Sequence, residues 1–258
     1  MSRWLPPAAL ITAAAFGVAW WRTRREASRL RRRLLTSTNE LEHLQGAFSR
    51  FAPRQLVDRI ASGRTASAER REVTILFADL VGFTQLGARL EPEALVRVLN
   101  AHFRRMSRIA DDHRGHVAKF IGDGFMALFG AHEPNPWQSN DAAHAALAMQ
   151  AAVEEGNQER AASGLPTLRM GIGIHRGSVV AGVIGSAELQ EFTVIGAAVN
   201  LASRLERMTR TEGAGILLTA EVRAHLDPRF AVQPLPPLAV RGIDEPVTAF
   251  RLDGFTEH

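Results

Sequence analysis

No cysteine occurs among the 258 residues. Disulfide frameworks, thiolate zinc sites and cysteine nucleophiles are thereby excluded. Lysine is nearly as scarce: of the 31 basic residues, Lys119 is the one lysine. A coding bias toward arginine accounts for most of that. The exception suggests a position where a compact ammonium serves and a wide planar guanidinium does not. The nine histidines fall in no HExxH or comparable ligand spacing, so they read as structural or exposed. No internal repeat is visible. Gly171-Ile172-Gly173 resembles a fragment of a dinucleotide fingerprint, but no helix follows it.

A net charge of +4 on a chain with 46% hydrophobic residues raises the question of a polyanionic partner. Locating the charge answers it. Residues 1–50 hold nine arginines against Glu26, Glu40 and Glu42, a balance of +6, so residues 51–258 carry −2. A nucleic-acid partner wants a basic face on the folded domain, and this pattern speaks against one.

The same stretch contains an uncharged run of 17 residues, Leu5–Trp21, at the short end of what spans a bilayer. Trp4, Trp20 and Trp21 stand at its ends, and Arg22, Arg24, Arg25, Arg29 and Arg31–Arg33 follow. The positive-inside rule then predicts a single-pass anchor in the inner membrane with the C-terminal part of the chain in the cytoplasm. A cleaved signal peptide fits less well, because arginines stand where small residues should lead to a cleavage site. A surface-lying helix would need a polar face within the run. Residues 1–23 are thus read as a transmembrane anchor. Residues 24–61 follow as a juxtamembrane helical or coiled-coil transducer segment, in which Leu30, Leu34, Leu41, Leu44 and Phe48 keep heptad spacing. An ordinary amphipathic helix explains that spacing equally. Residues 62–71 read as a polar linker, and residues 72–258 as the globular domain.

Within that domain, Val73–Ala78 is a buried strand and Glu91–Arg114 an amphipathic helix opened by Pro92. His116–Ile121 and Phe125–Phe129 flank Gly122-Asp123-Gly124, a hairpin signal. Asn140–Arg160 is an alanine-rich helix. Leu168–Ile174 and Ser178–Ile184 suggest a second hairpin around Gly177. Phe192–Ile195 is a strand and Ala197–Met208 a helix, with short strands and turns beyond. Helices interleaved with hairpins predict an α+β sandwich on a mostly antiparallel sheet with flanking helices.

Asp79 ends the first strand beside Gly82 and Thr84, where backbone N–H groups can approach an anion. Asp123 sits at the hairpin tip. If the strand ends are neighbours, two carboxylates converge, and divalent cations would relieve their repulsion. Taken alone, Asp123 beside glycine is an ordinary turn residue. Lys119 and Thr193 alone would be plain strand residues. Asn200 and Arg204, four apart, would be a solvated helix face.

Five segments in order carry more than any one of them: Phe77–Thr84 (FADLVGFT), Lys119–Gly130 (KFIGDGFMALFG), Gly173–Gly185 (GIHRGSVVAGVIG), Phe192–Glu206 (FTVIGAAVNLASRLE) and Val240–Val247 (VRGIDEPV). Together they resemble the class III nucleotidyl cyclases over about residues 50–252. The resemblance implies a ferredoxin-like catalytic core and a head-to-tail homodimer with two active sites at its interface. Asp79 and Asp123 match the family's aspartates for two Mg²⁺ or Mn²⁺ ions per site. The backbone of Val81, Gly82, Phe83 and Thr84 would cradle the phosphates. Lys119 and Thr193 stand where the family reads the purine, and this pair suits adenine, hence ATP. Guanylate-specific relatives typically carry Glu and Cys there. Asn200 and Arg204 match the catalytic pair that orients the ribose and holds charge on the α-phosphate. Arg241 falls near a position that is often lysine and contacts the triphosphate. The expected reaction is closure of ATP to 3′,5′-cyclic AMP with loss of pyrophosphate. A guanylate cyclase and a non-catalytic nucleotide-sensing or dimerisation module are the alternatives. A diguanylate cyclase is not favoured, since no GGDEF-like turn occurs.

Overall fold

The computed structural model describes residues 68–256 apart from 89, 163 and 186–189. The anchor at Leu5–Trp21 and the helical segment at 24–61 therefore lie outside the described residues. Among the described residues, no helix is long and apolar enough to cross a membrane.

Among the described residues, eight strands and five helices follow one another: β1 (Glu69–Val81), α1 (Phe83–Gly87), α2 (Pro92–Asp112), β2 (Gly115–Ile121), β3 (Gly124–Phe129), α3 (Gln138–Ala162), β4 (Arg169–Gly185), β5 (Gln190–Ile195), α4 (Ala197–Met208), β6 (Ile216–Thr219), α5 (Ala220–Arg223), β7 (Phe230–Pro234) and β8 (Ala249–Phe255). The sheet runs β2-β3-β1-β4-β6-β8-β7, and β5 pairs with β4. Only β4 and β6 among these pairs run parallel. The α+β sandwich expected from the sequence is the architecture observed.

Period-two alternation decides which face each central strand shows to which helix. Leu76, Ala78 and Leu80 of β1 and Met170, Ile172 and Ile174 of β4 point into the main core. There they meet Met106 and Ala110 of α2 and Ala142, Ala145, Ala146 and Met149 of α3. The opposite face of β4 presents Gly171, Gly173 and Gly177, and α4 lies across them. A Cβ on Gly173 would stand 2.3 Å from the Glu206 nitrogen and 2.6 Å from the Ala202 oxygen. A second cluster around Leu205, Leu217, Leu238, Val240 and Ala249 completes this side.

One expectation is overturned here. Leu168–Ile174 and Ser178–Ile184 do not form a hairpin: Arg169–Gly185 is one strand of 17 residues. Gly177 pairs with Val73 in the unbroken antiparallel register of β1 and β4. It is glycine because α4 approaches, a Cβ there standing 2.9 Å from that of Ala198. The hairpin partner of β4 is β5, paired from Val180↔Ile195 to Gly185↔Gln190. The strand register also reaches back to Glu69↔Ala181, so β1 begins inside the stretch read as linker. The short helix α1, not anticipated, follows directly on β1.

Candidate active site

β1 delivers Asp79 to the α4 side of the sheet, directly opposite Gly171 on β4. β2 and β3 pair down to Ile121↔Gly124, leaving Gly122 and Asp123 as the hairpin loop. The tip folds tightly onto β1. A Cβ on Gly124 would lie 2.6 Å from the Ala78 carbonyl oxygen and 2.8 Å from Asp79 Oδ1. Only a residue without a side chain permits that approach, and it brings Asp123 next to Asp79. Burial raises the Asp79 pKa, the Asp123 carboxylate raises it further, and Arg210 opposes both.

Past Asp79, Val81 ends the strand and Gly82 turns the chain at φ +91°, a left-handed conformation that disfavours any side chain. Gln85 and Leu86 donate their N–H groups back to the Gly82 carbonyl. Phe83 is buried and pins α1 to the core. The Val81–Thr84 backbone is thus fixed beside the carboxylate pair, with first-turn N–H groups that have no partner within the helix.

Two residues that the motifs did not single out belong to this corner. Arg210, in the turn after α4, donates from Nη2 to Asp79 Oδ2. Glu206, one helical turn earlier, is 5% exposed, and its Oε1 is buried with no hydrogen-bond partner. Burial, then Asp79, pushes its pKa up to about 7. The signal for both was the i, i+4 spacing of Glu206, in the last turn of α4, and Arg210, in the turn that follows it. It places them together on the face about 200° round the helix from Arg204, at roughly 100° per residue.

Asn200 and Arg204 lie on that other face. Arg204 is half-buried, and its guanidinium reaches the C-terminal loop: a Cβ on Gly242 would be 3.2 Å from its Nη1. Arg241, exposed, precedes that glycine. Lys119 is exposed on β2, just past a bulge that sets Ala118 and Lys119 against Met126 and breaks the strand's alternation. Phe120 beside it packs on Phe103 of α2 with ring centroids 4.2 Å apart. Thr193 is half-buried on β5, paired with Gly182. One chain therefore gathers Asp79, Asp123 and the Val81–Thr84 turn at a single corner. It carries Asn200, Arg204 and Arg241 on a different side of α4, and Lys119 and Thr193 on strands separated by β3, β1 and β4.

The donors at the corner are all carboxylate oxygens, which suit a hard divalent cation such as Mg²⁺ or Mn²⁺. Glu206 Oε1, buried without a donor, is a further sign that positive charge is wanted here. Among the described residues no group of three or more His, Asp or Glu closes a metal cage. Two aspartates would leave the remaining positions to water and to substrate phosphate, as Mg²⁺ sites commonly do.

Known proteins share this fold. Residues 65–254 match the adenylate and guanylate cyclase catalytic domain. An adenylate cyclase of Anabaena cylindrica is 36% identical over 231 residues, which are 85% of this chain and 45% of that protein. The chain thus spans less than half of that relative's length. Among solved structures, the adenylyl cyclase CyaB from P. aeruginosa superposes with a TM-score of 0.69 at 31% identity, covering 74% of this chain and 97% of that one. The guanylyl cyclase Cya2 superposes with a TM-score of 0.66 at 35% identity, covering 74% and 95%. Sequence match and fold agree, and the chain belongs to the adenylate and guanylate cyclase catalytic domain family.

Proposed function

We propose that this chain is an adenylate cyclase, closing ATP to 3′,5′-cyclic AMP and releasing pyrophosphate at sites shared between two copies. The observation that carries the reading is the tight meeting of Asp79 and Asp123, made possible by Gly124 and set beside the Val81–Thr84 turn. Asp79 and Asp123 would hold two Mg²⁺ or Mn²⁺ ions. When bound, these cations lower the pKa of the ribose 3′-hydroxyl and offset charge on the departing pyrophosphate.

The chain's own groups supply position and charge. Backbone N–H groups of Val81, Gly82, Phe83 and Thr84 orient the triphosphate for in-line attack. Arg204 neutralises charge that grows on the α-phosphate, and Asn200 fixes the ribose. Arg241, beside Arg204 in the fold, adds charge toward the phosphates. Because Arg204 faces away from its own Asp79, it serves best the site of a second copy, which supports a homodimer. Lys119 donates toward adenine N1, and the Thr193 hydroxyl accepts from the exocyclic amine.

Likeness to both an adenylyl and a guanylyl cyclase leaves base choice to Lys119 and Thr193. Purified protein with Mn²⁺ should convert ATP in preference to GTP, with 3′,5′-cyclic AMP as product. Exchanging Lys119→Glu together with Thr193→Cys should turn that preference toward GTP. A wild-type preference for GTP would refute the adenine assignment. Absence of any cyclic product would favour the non-catalytic module. The run Leu5–Trp21 supports an inner-membrane anchor with the catalytic domain in the cytoplasm. Removing residues 1–23 should move the protein from the membrane pellet to the supernatant, and unchanged pelleting would contradict it.

A further inference from the structure

Arg210 has no role in the reading just given, yet it forms an ion pair with Asp79, the residue on which that reading depends. The pair joins positions 131 apart in the chain, so it is a product of the fold. We propose that Arg210 is the resident counter-cation of Asp79: it holds the carboxylate when no divalent cation is bound and must yield it when one binds. The proposal rests on Asp79 being a cation ligand.

Three observations support it. First, the corner needs positive charge. Asp79 is half-buried and faces Asp123, while buried Glu206 adds a third carboxylate to the same electrostatic neighbourhood. Second, Arg210 can leave. Its side chain is 47% exposed, against 25% for Asp79, and it sits in the turn after α4 rather than within packed helix. A guanidinium released there returns to water at little cost. Third, the competition is direct. Arg210 occupies Oδ2 of Asp79, and a metal bound through that oxygen would place two positive centres within a few ångströms. Arg204 does not share the role, because it lies on the other face of α4 against Gly242.

The consequence is a trade between two states. Without metal, Arg210 keeps the carboxylates from driving the hairpin tip and β1 apart. With metal, it is displaced, and the metal pays for that displacement in affinity. Arg210 is thus a positioning residue that sets the divalent-cation concentration at which the site fills.

The test is Mn²⁺ binding to the full chain without nucleotide, followed by the loss of the free-ion electron paramagnetic resonance signal. Arg210→Ala should bind Mn²⁺ about two- to tenfold more tightly than wild type, the range expected for a partly exposed ion pair plus relieved repulsion. Arg210→Lys should fall between them. Arg251→Ala removes the same charge from β8, where Arg251 pairs with Asp253, and should leave binding unchanged. Without metal, Arg210→Ala should melt at lower temperature than wild type and gain more from Mn²⁺. Equal or weaker Mn²⁺ binding by Arg210→Ala overturns the proposal. Asp79→Asn separates the two levels: lost binding upholds Asp79 as ligand, and wild-type binding removes the ligand reading and this proposal together.

Discussion

His116 is held neutral inside the fold, with burial and then the neighbouring His132 ring pushing its pKa down to about 3. The two rings meet Nε2 to Nε2 at 3.0 Å, far from the carboxylate corner on the other end of β2. An unfolded chain binds a proton to this histidine near pH 6.5, and the folded chain does not until about pH 3. At this site the unfolded state therefore holds more protons in that window, so His116 contributes stability that rises with pH from about 3 to 6.5; His102, lowered to about 4, adds in the same sense, and Glu206, raised from 4.5 to about 7, opposes both. The slope approaches roughly 1.4 kcal/mol per pH unit for one such group. Urea unfolding of wild type and His116→Gln between pH 4.5 and 7 should show it as a difference between the two pH slopes, the variant lacking the His116 contribution. A variant with the wild-type slope would mean that other groups carry the acid sensitivity. Single residues were unevenly legible from sequence. Asp79 and Asp123 were found because strand end and hairpin tip each have a local signature. Glu206 and Arg210 were not, because their importance arises only when α4 lies over β4.

That contact belongs to the scale of elements, and there the glycines decide. Gly171, Gly173 and Gly177 give β4 a smooth face, and α4 settles on it with its backbone almost touching the strand. Read linearly, the same glycines suggest a turn, which is why a hairpin was expected where one strand runs. Periodicity reports what a strand buries, and it cannot say that a glycine is there to admit a helix. The β2–β3 hairpin was legible because its loop chemistry is local, and the span of α4 because its apolar repeat is clear. Gly173→Ala tests the contact. The added methyl meets backbone nitrogen and oxygen of α4, not a flexible side chain, so α4 must shift. A destabilisation of about 1–3 kcal/mol is expected, the usual cost of overpacking. Cyclase activity should fall further than the lost folded fraction explains, since α4 carries Asn200 and Arg204. An unchanged melting temperature with full activity would show that the helix seat tolerates a side chain.

For the molecule as a whole, the placement of the two half-sites matters most. The carboxylate pair and the Val81–Thr84 turn lie on one side, and Arg204 with Arg241 on another, so one chain does not bring the proposed set together. Sequence showed the motif residues to expect, but not that the end of α4 and the turn after it set Glu206 and Arg210 toward the chain's own Asp79 while Asn200 and Arg204 face elsewhere. The −2 charge of residues 51–258 and the +6 of residues 1–50 set the two stretches of sequence apart in chemistry. The most direct measurement of the central claim is complementation between two inactive chains. Asp79→Asn and Arg204→Ala should each abolish ATP cyclisation when assayed alone. Mixed in equal amounts and allowed to exchange, they should recover about a quarter of wild-type activity, because half the dimers are mixed and each mixed dimer has one intact site. A mixture as inactive as its components, with subunit exchange demonstrated, would contradict a site built from two chains.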